Sequence, residues 1–261
     1  MDGLLFDREE ALVTLTLNRP QERNPLGEAE DAEAFAAACG RINADPTIKV
    51  AILTGAGSVF SAGGNLKMMR ARLMGPPETE LEIRERYRRT VHALVRSLWA
   101  IEVPLITAIN GAAFGLGNDV ACLGDIRIAG ELASFGVPFL RMGLVPGDGG
   151  TWILTRAIGT ARAAELLLTG DTIDAKTALA WGLVNRVVPQ AQLMPESKTL
   201  AQRIAQHSAD VLRMTKRLLR ESSSASFESI LEMSVNMQAR AHRTPEHKAA
   251  IEAFFSRTRK P

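Results

Sequence analysis

Three glycine-rich turns, each leading into a stretch of helical composition, constrain most strongly what this chain can fold into. They are VFSAGGNLK at residues 59–67, NGAAFGLGND at residues 110–119 and GLVPGDGGTW at residues 143–152. Short apolar segments predict strands at 11–17, 49–54, 104–109, 125–129 and 134–136, and helical composition marks 28–42, 112–123 and 150–168. Strand, turn and helix recurring in units of roughly 30 residues predict an α/β fold with right-handed crossovers.

The chain changes character after Pro189. Leu, Ile and Met at three- and four-residue spacing predict amphipathic helices at 198–205, 211–220 and 227–241, with no strand in this part. We therefore divide the chain into an α/β core at residues 1–195 and a helical region at residues 196–261. Because such helices cannot bury their apolar faces alone, we expect them to dock on the core or on another subunit, and we predict a homo-oligomer. Gly75-Pro76-Pro77 predicts a mobile loop within residues 66–87.

The composition indicates a soluble globular protein without features for binding nucleic acid or a membrane. Lys and Arg number 31 and Asp and Glu number 29, so the net charge is only +2. Cys39 and Cys122 match neither a disulfide framework nor metal-site spacing, which favours the reducing cytoplasm and no bound metal. Charges at residues 7–10 interrupt the N-terminal segment, so it predicts neither a signal peptide nor a membrane span.

The first two glycine turns can present backbone N–H groups to a ligand. Gly63 and Gly64 permit close backbone approach and unusual dihedral angles, although a plain tight turn is the alternative. In the second turn, the N-terminus of the following helix favours negative charge. The GxGxxG spacing of dinucleotide-binding proteins is absent there, and no acidic residue follows in the ribose-binding position, so we reject that function.

The third turn places Asp148 among small residues just before a helix. Glycines around an aspartate indicate a ligand brought close to it, and helix capping is the alternative. Taken together, the turns predict backbone donors that converge on one carbonyl oxygen, flanked by Asp119 and Asp148. That arrangement suits enolate chemistry on a thioester, since donors hold the oxygen while carboxyl groups move the α-proton. Burial against Phe114, Phe139 and Leu140 should raise the pKa of one carboxyl group.

Six ordered motifs cover nearly the whole chain. They are FSAGGNLK, NGAAFGLGND, DIRIA, GLVPGDGGTW, ELLLTGDTIDAKTALAWGLVNRVV and AFFSRTRKP. In this order and spacing they resemble the enoyl-CoA hydratase/isomerase (crotonase) superfamily. The resemblance implies a crotonase-like spiral of ββα units with a C-terminal helical region, and trimers or dimers of trimers. It also implies coenzyme A thioesters as substrates and no tightly bound cofactor.

The resemblance assigns two oxyanion-hole donors to the backbone N–H groups of Gly64 and Leu116. Leu116 stands where glycine is usual, so its side chain must point away or shape the acyl pocket. The positions that correspond to the coenzyme A and substrate channel are Ala62, Asn65, Leu66 and Lys67, with Asn65 in place of a usual aspartate. Phe254 and Lys260 correspond to residues near the adenine end.

The proton-transfer residues depart from the glutamate pair of typical hydratases. The first glutamate falls on Asp119, and the second falls on Phe139, which cannot transfer a proton and is kept as a substrate contact. Asp148 occupies a slot that holds aspartate in the dienoyl-CoA isomerases and the 4-chlorobenzoyl-CoA dehalogenases. The dehalogenases use it as a nucleophile with a histidine base that falls near His92; a structural or surface histidine is the alternative.

We therefore predict an enzyme in which Asp119 and Asp148 hydrate an enoyl-CoA or shift its double bond. Lyase is the expected label, and an isomerase-like proton shuttle fits the residues at least as well. The alternatives are a degenerate member that binds acyl-CoA without turnover, and a dehalogenase-like enzyme using Asp148 and His92. The histidines of the helical region show neither a Ser-His-Asp constellation nor metal spacing; they are His207, His242 and His247.

Overall fold

A six-stranded sheet forms the centre of the protein, for which the computed structural model describes residues 3–258. Its strand order is β1-β2-β4-β7-β9-β12; β1 and β2 are antiparallel and the other neighbours are parallel. A second sheet has the order β11-β10-β8-β5, and β3 pairs with β6. The strands are β1 (Leu4–Glu9), β2 (Leu12–Leu17), β3 (Pro25–Leu26), β4 (Val50–Gly55), β5 (Val59–Ser61), β6 (Gly63–Gly64), β7 (Leu105–Ile109), β8 (Ala112–Phe114), β9 (Ile126–Gly130), β10 (Ser134–Gly136), β11 (Thr172–Asp174) and β12 (Arg186–Val188).

Helices cover both faces of the large sheet. The helices are α1 (Ala29–Ala44), α2 (Leu66–Leu73), α3 (Glu80–Arg89), α4 (Val91–Trp99), α5 (Leu116–Cys122), α6 (Gly150–Thr169), α7 (Ala175–Trp181), α8 (Leu193–Ala205), α9 (Ala209–Glu221), α10 (Phe227–His242) and α11 (Pro245–Thr258). Strand β4 shows why its sequence is a continuous apolar run: Ala51 and Leu53 pack on one side of the sheet, and Val50 and Ile52 pack on the other.

The strands predicted at 11–17, 49–54, 104–109, 125–129 and 134–136 are confirmed to within one residue at each end. The prediction of helix for 112–123 is wrong for its first three residues, because Ala112–Phe114 is a strand between β5 and β10. Residues 66–87 are mostly helical, in α2 and α3, so the predicted loop is confined to residues 74–79. The strands that the sequence does not predict are β1, β3, β5, β6, β11 and β12, in addition to β8.

The boundary between the core and the helical region does not fall between two elements. Helix α8 spans the proposed boundary at residues 195/196, and Leu200 and Ala201 pack against the sheet. Helix α9 is fixed to the core by polar contacts, since Lys216 donates to the carbonyl of Val103 at 2.7 Å. Helix α10 packs on α9, and α11 packs on α10. Within residues 3–258, no helix combines the length and apolar character needed to cross a membrane.

Candidate active site

The first two glycine turns lie side by side. Strands β5 and β8 are parallel neighbours in the second sheet, so the turns that follow them meet at the same edge. Gly63 has φ +84°, and a Cβ atom there would lie 2.3 Å from the Phe114 carbonyl oxygen and 3.3 Å from the Leu116 nitrogen. Only glycine allows this approach, which brings the two sets of backbone N–H groups together.

Buried polar side chains fix the first turn. The Ser61 hydroxyl donates to the Asn24 carbonyl at 2.7 Å and accepts from the Gly63 N–H at 3.1 Å. The Asn24 amide donates to the carbonyls of Ala56 and Val59, at 2.9 and 2.8 Å, so it closes the connection between β4 and β5. The position of Gly64 therefore depends on a network that starts in a different part of the chain.

Leu116 begins helix α5 after Gly115, which has φ +52°. A residue at the start of a helix has no intrahelical partner for its N–H group, so this donor is free to hold an anionic oxygen. The side chain is buried, and its Cδ2 atom lies 3.4 Å from the position of a Cβ at Gly27. The backbone of Leu116 thus faces Gly63 while its side chain packs toward Gly27 in the core.

Asp119 is fully buried on α5, against the N-terminus of α6. Its carboxyl group accepts from the Asn118 amide at 3.3 Å. A Cβ at Gly150 would lie 2.5 Å from both carboxyl oxygens, so this close packing requires glycine. Within residues 3–258, Asp119 Oδ2 has no hydrogen-bond partner. Such an orphaned acceptor in the interior is a costly feature, typical of a protonated or functional carboxyl group.

Asp148 lies in the loop that precedes α6 and is only 3% exposed. Its Oδ1 atom has no hydrogen-bond partner within the described part of the chain. Burial raises the pKa of Asp148 to about 6, and the charge of His92 opposes this rise.

The pKa of Asp119 is raised further, to about 8. Burial is the main cause and the charge of Asp148 adds to it, whereas hydrogen bonds from Asn118 and the Gly150 N–H act in the opposite direction. At neutral pH, Asp119 is therefore mostly protonated and Asp148 is mostly ionised. Two neighbouring carboxyl groups with separated pKa values can divide the roles of acid and base.

The rings of His92 and Tyr87 lie against Gly147, the residue directly before Asp148. His92 Nε2 lies 2.8 Å from the Gly147 carbonyl oxygen. The Tyr87 ring contacts His92 edge to face, with 6.0 Å between ring centroids. The sequence gives no sign of this contact of Tyr87, because Gly75-Pro76-Pro77 favours a loop within residues 66–87.

Phe139, which the resemblance assigns to the position of the second glutamate, supplies an apolar wall. The ring is buried, and its Cζ atom lies 3.5 Å from the position of a Cβ at Gly115. It therefore packs against the turn that carries the Leu116 N–H. No proton can be exchanged at this position.

The predicted channel residues lie within the first turn, and two of them begin helix α2. The Asn65 side chain caps α2 by accepting from the Met68 N–H at 3.2 Å. Ala62 is half-buried and its N–H donates to the Arg23 carbonyl, whereas Leu66 is exposed. Lys67 is also exposed, with Nζ 3.4 Å from a Glu22 carboxyl oxygen.

One of the two residues assigned to the adenine end, Phe254, is among those that the structure describes. Phe254 is on α11, where its ring packs edge to face against Phe255. Lys260 lies outside the described residues. Among residues 3–258, no group of three or more His, Cys, Asp or Glu side chains is arranged to hold a metal ion.

Comparison with known proteins identifies the family. A family profile described as enoyl-CoA hydratase/isomerase matches residues 7–261. The chain is 35% identical to a probable enoyl-CoA hydratase of Mycobacterium bovis, over 98% of this chain and 96% of the relative. It is 33% identical to the 1,2-epoxyphenylacetyl-CoA isomerase of Escherichia coli, over 98% and 97% of the two chains.

A solved structure agrees with these relatives. The enoyl-CoA hydratase of Bacillus anthracis superposes with a TM-score of 0.90 at 31% identity, covering 98% of this chain and 96% of that one. The predicted crotonase-like α/β fold is thereby confirmed. Family, fold and the two converging glycine turns agree, and the chain belongs to the enoyl-CoA hydratase/isomerase (crotonase) superfamily.

Proposed function

We propose that this enzyme shifts the double bond of an enoyl-CoA by moving a proton through an enolate intermediate. The observation that carries the proposal is the pair of buried aspartates, Asp119 and Asp148, with pKa values raised to about 8 and about 6. They lie beside the two glycine turns. The usual second glutamate is replaced by Phe139.

In the proposed reaction, the thioester oxygen accepts hydrogen bonds from the backbone N–H groups of Gly64 and Leu116. The Asp148 carboxylate removes a proton from the carbon next to the double bond, and the electron pair moves into the thioester carbonyl. The resulting enolate oxygen is stabilised by the two N–H groups. Protonation at the other end of the conjugated system, by Asp119 or by the newly protonated Asp148, completes the shift. Where Asp119 is the donor, the proton held by Asp148 returns to Asp119 before the next turnover.

The apolar Phe139 favours a double-bond shift over the addition of water. In the usual pair, two glutamates activate a water molecule between them. Here one of the two positions carries a buried aromatic ring, which offers that water no hydrogen bond. A proton shuttle needs only a base and an acid, and the two aspartates supply both.

Hydration is the second candidate, favoured by the likeness to a probable enoyl-CoA hydratase. For this reaction Asp148 would act on water and Asp119 would protonate the α-carbon. A dehalogenase-like mechanism is less well supported, because it needs His92 as a base. Its Nε2 lies 2.8 Å from the Gly147 carbonyl, which can only accept, so Nε2 carries the proton and only Nδ1 is left to act as a base.

A panel of thioesters tests the proposal. The purified protein is incubated with crotonyl-CoA and with longer 2-enoyl- and 3-enoyl-CoAs while the absorbance of the conjugated thioester is followed. We expect this absorbance to appear from 3-enoyl-CoAs, whereas its loss from 2-enoyl-CoAs would identify hydration instead. If no compound changes while coenzyme A esters still bind, both reactions are excluded and a binding function is favoured.

A further inference from the structure

The loop that carries Asp148 has little of its own to hold it in place. Residues 145–148 make no backbone-to-backbone hydrogen bond within residues 3–258. Gly143 and Gly149 flank them with φ +69° and +96°, and a Cβ atom at either glycine would meet nothing within 4 Å. Yet a base must be held within a fraction of an ångström of its productive position. Something outside the loop has to set the position of Asp148.

His92 makes the side-chain contact that can do so. It lies on α4, and its Nε2 is 2.8 Å from the carbonyl oxygen of Gly147, the residue directly before Asp148. Because a carbonyl oxygen only accepts, Nε2–H is the donor and the tautomer is determined by this bond. The bond links the rigid helix to the backbone next to the proposed base.

Tyr87 of α3 holds the same residue sterically. A Cβ at Gly147 would lie 3.3 Å from Tyr87 Cε1, so the ring already rests close to the Gly147 backbone. The edge-to-face contact between Tyr87 and His92 joins the two groups into one support. Gly147 is thus held by a hydrogen bond from one helix and a ring from another.

We infer that His92 is a positioning residue, which places the Asp148 carboxyl group by hydrogen bonding to the Gly147 carbonyl. This inference rests on the proposed function of Asp148. It differs from a role as catalytic base, since His92 acts on the loop backbone and not on the substrate.

The charge of His92 of α4 acts on Asp148, and Asp148 in turn acts on Tyr87 of α3 and Asp119 of α5. Of these, His92 alone can bring a positive charge, and that charge lowers the pKa of Asp148. Replacement of His92 by a neutral group should therefore shift the acidic limb of the pH profile of kcat/KM to higher pH.

Two substitutions separate the hydrogen bond from the other properties of His92. His92→Gln keeps an amide N–H at nearly the distance of Nε2, whereas His92→Leu keeps bulk and removes the donor. We expect kcat to stay close to the wild-type value in His92→Gln and to fall roughly 10- to 100-fold in His92→Leu, with KM unchanged in both. His207→Leu, at an exposed position of the helical region, is the matched control and should change nothing.

Hydrogen–deuterium exchange supplies a measurement that does not depend on turnover. The Leu144 N–H, which donates to the Phe139 carbonyl, and the Gly150 N–H, which donates to the Asp119 carboxyl group, border the loop. Both should exchange faster in His92→Leu than in the wild type, but not in His92→Gln. Gly147→Ala leaves His92 intact and disturbs the contact with Tyr87, because the added Cβ would lie 3.3 Å from Tyr87 Cε1. It should lower kcat as well. This second variant covers the case in which His92→Leu fails to fold.

The outcomes are distinct. Wild-type kcat and exchange in His92→Leu would overturn the inference, and so would equal loss of kcat in both His92 variants, which would indicate a base. If the wild-type enzyme turns over no acyl-CoA, the proposed function fails, while exchange of the Leu144 and Gly150 amides still decides whether His92 holds the loop.

Discussion

Asp119 and Asp148 both lie at the N-terminus of α6, where the helix dipole favours a negative charge. That effect contributes about 0.3–2 kcal/mol, which corresponds to roughly one pKa unit. Burial acts in the opposite direction and is the larger effect, since the pKa of Asp119 rises from 3.8 to about 8. Asp119, although it lies against a helix N-terminus, is therefore a neutral carboxylic acid at pH 7.

The two aspartates should leave separate marks on the pH profile of kcat/KM. Activity should rise as Asp148 ionises, near pH 6, and fall as Asp119 loses its proton, near pH 8. In Asp148→Asn and Asp119→Asn, we expect kcat to fall roughly 100-fold or more, with loss of the corresponding limb.

Asp171→Asn is the control for these variants, because Asp171 is exposed and its partner is Arg141 on the surface. Wild-type rates in both buried variants would contradict the assignment. A flat profile between pH 5 and 9 would contradict the division of roles even if the rates fell.

At the scale of single elements, the joint between β6 and the second turn depends on one glycine. We expect Gly63→Ala to lower the free energy of unfolding by about 1–3 kcal/mol, because φ is +84° and the new Cβ would meet the backbone of Phe114. Activity should fall too, since the two donor turns would separate. Urea denaturation and steady-state kinetics measure these effects.

Gly40→Ala provides the opposite case. Gly40 lies inside α1 and is exposed, and a Cβ atom added there would meet nothing within 4 Å. The same substitution there should raise the free energy of unfolding by about 0.5–1 kcal/mol, because alanine has the higher helix propensity. A similar effect of both substitutions would show that the Gly63 contact does not limit stability.

Whether an element can be predicted from the sequence depends on whether its own residues or its neighbours in the fold stabilise it. Strands β4 and β7 are buried on both faces, so their apolar runs appear in the sequence. Strand β8 has the helix-favouring composition Ala112-Ala113-Phe114, and pairing with β5 and β10 overrides that preference. Strand β1 is at the edge of the sheet with exposed charges, which hide its pattern.

The sequence contains a start signal for helix α3. Thr79 and Glu82 form a capping box, in which each side chain accepts from the backbone N–H of the other residue. The nearby Gly75-Pro76-Pro77 favours the prediction of a loop instead. Without α3 and α4 in place, the approach of Tyr87 and His92 to Gly147 could not be inferred from the sequence. By contrast, their glycine-rich surroundings single out Asp119 and Asp148 in the sequence as candidate site residues.

At the scale of the whole molecule, the helical region is fixed to the core by charged contacts and exposes its apolar residues. Lys216 is buried, and its Nζ lies 2.6 Å from an Asp125 carboxyl oxygen. Arg213 bonds Glu102 at 2.9 Å. The large apolar side chains exposed on α10 and α11 are Phe227, Leu231, Val235, Ile251, Phe254 and Phe255. Exposed apolar residues in this number mark an interaction surface.

We therefore expect the protein to form a closed homo-oligomer through this surface, and the resemblance to the crotonase superfamily implies a trimer or a dimer of trimers. Light scattering should give about three or six times the 28.3 kDa of one chain. Association is favoured because symmetric copies that cover one another's apolar patches remove these patches from water. Leu231→Asp, in the middle of α10, should shift the population to smaller species, whereas Leu132→Asp, at an exposed turn of the core, should not. A wild-type monomer would contradict the prediction, and equal dissociation by both variants would place the interface elsewhere.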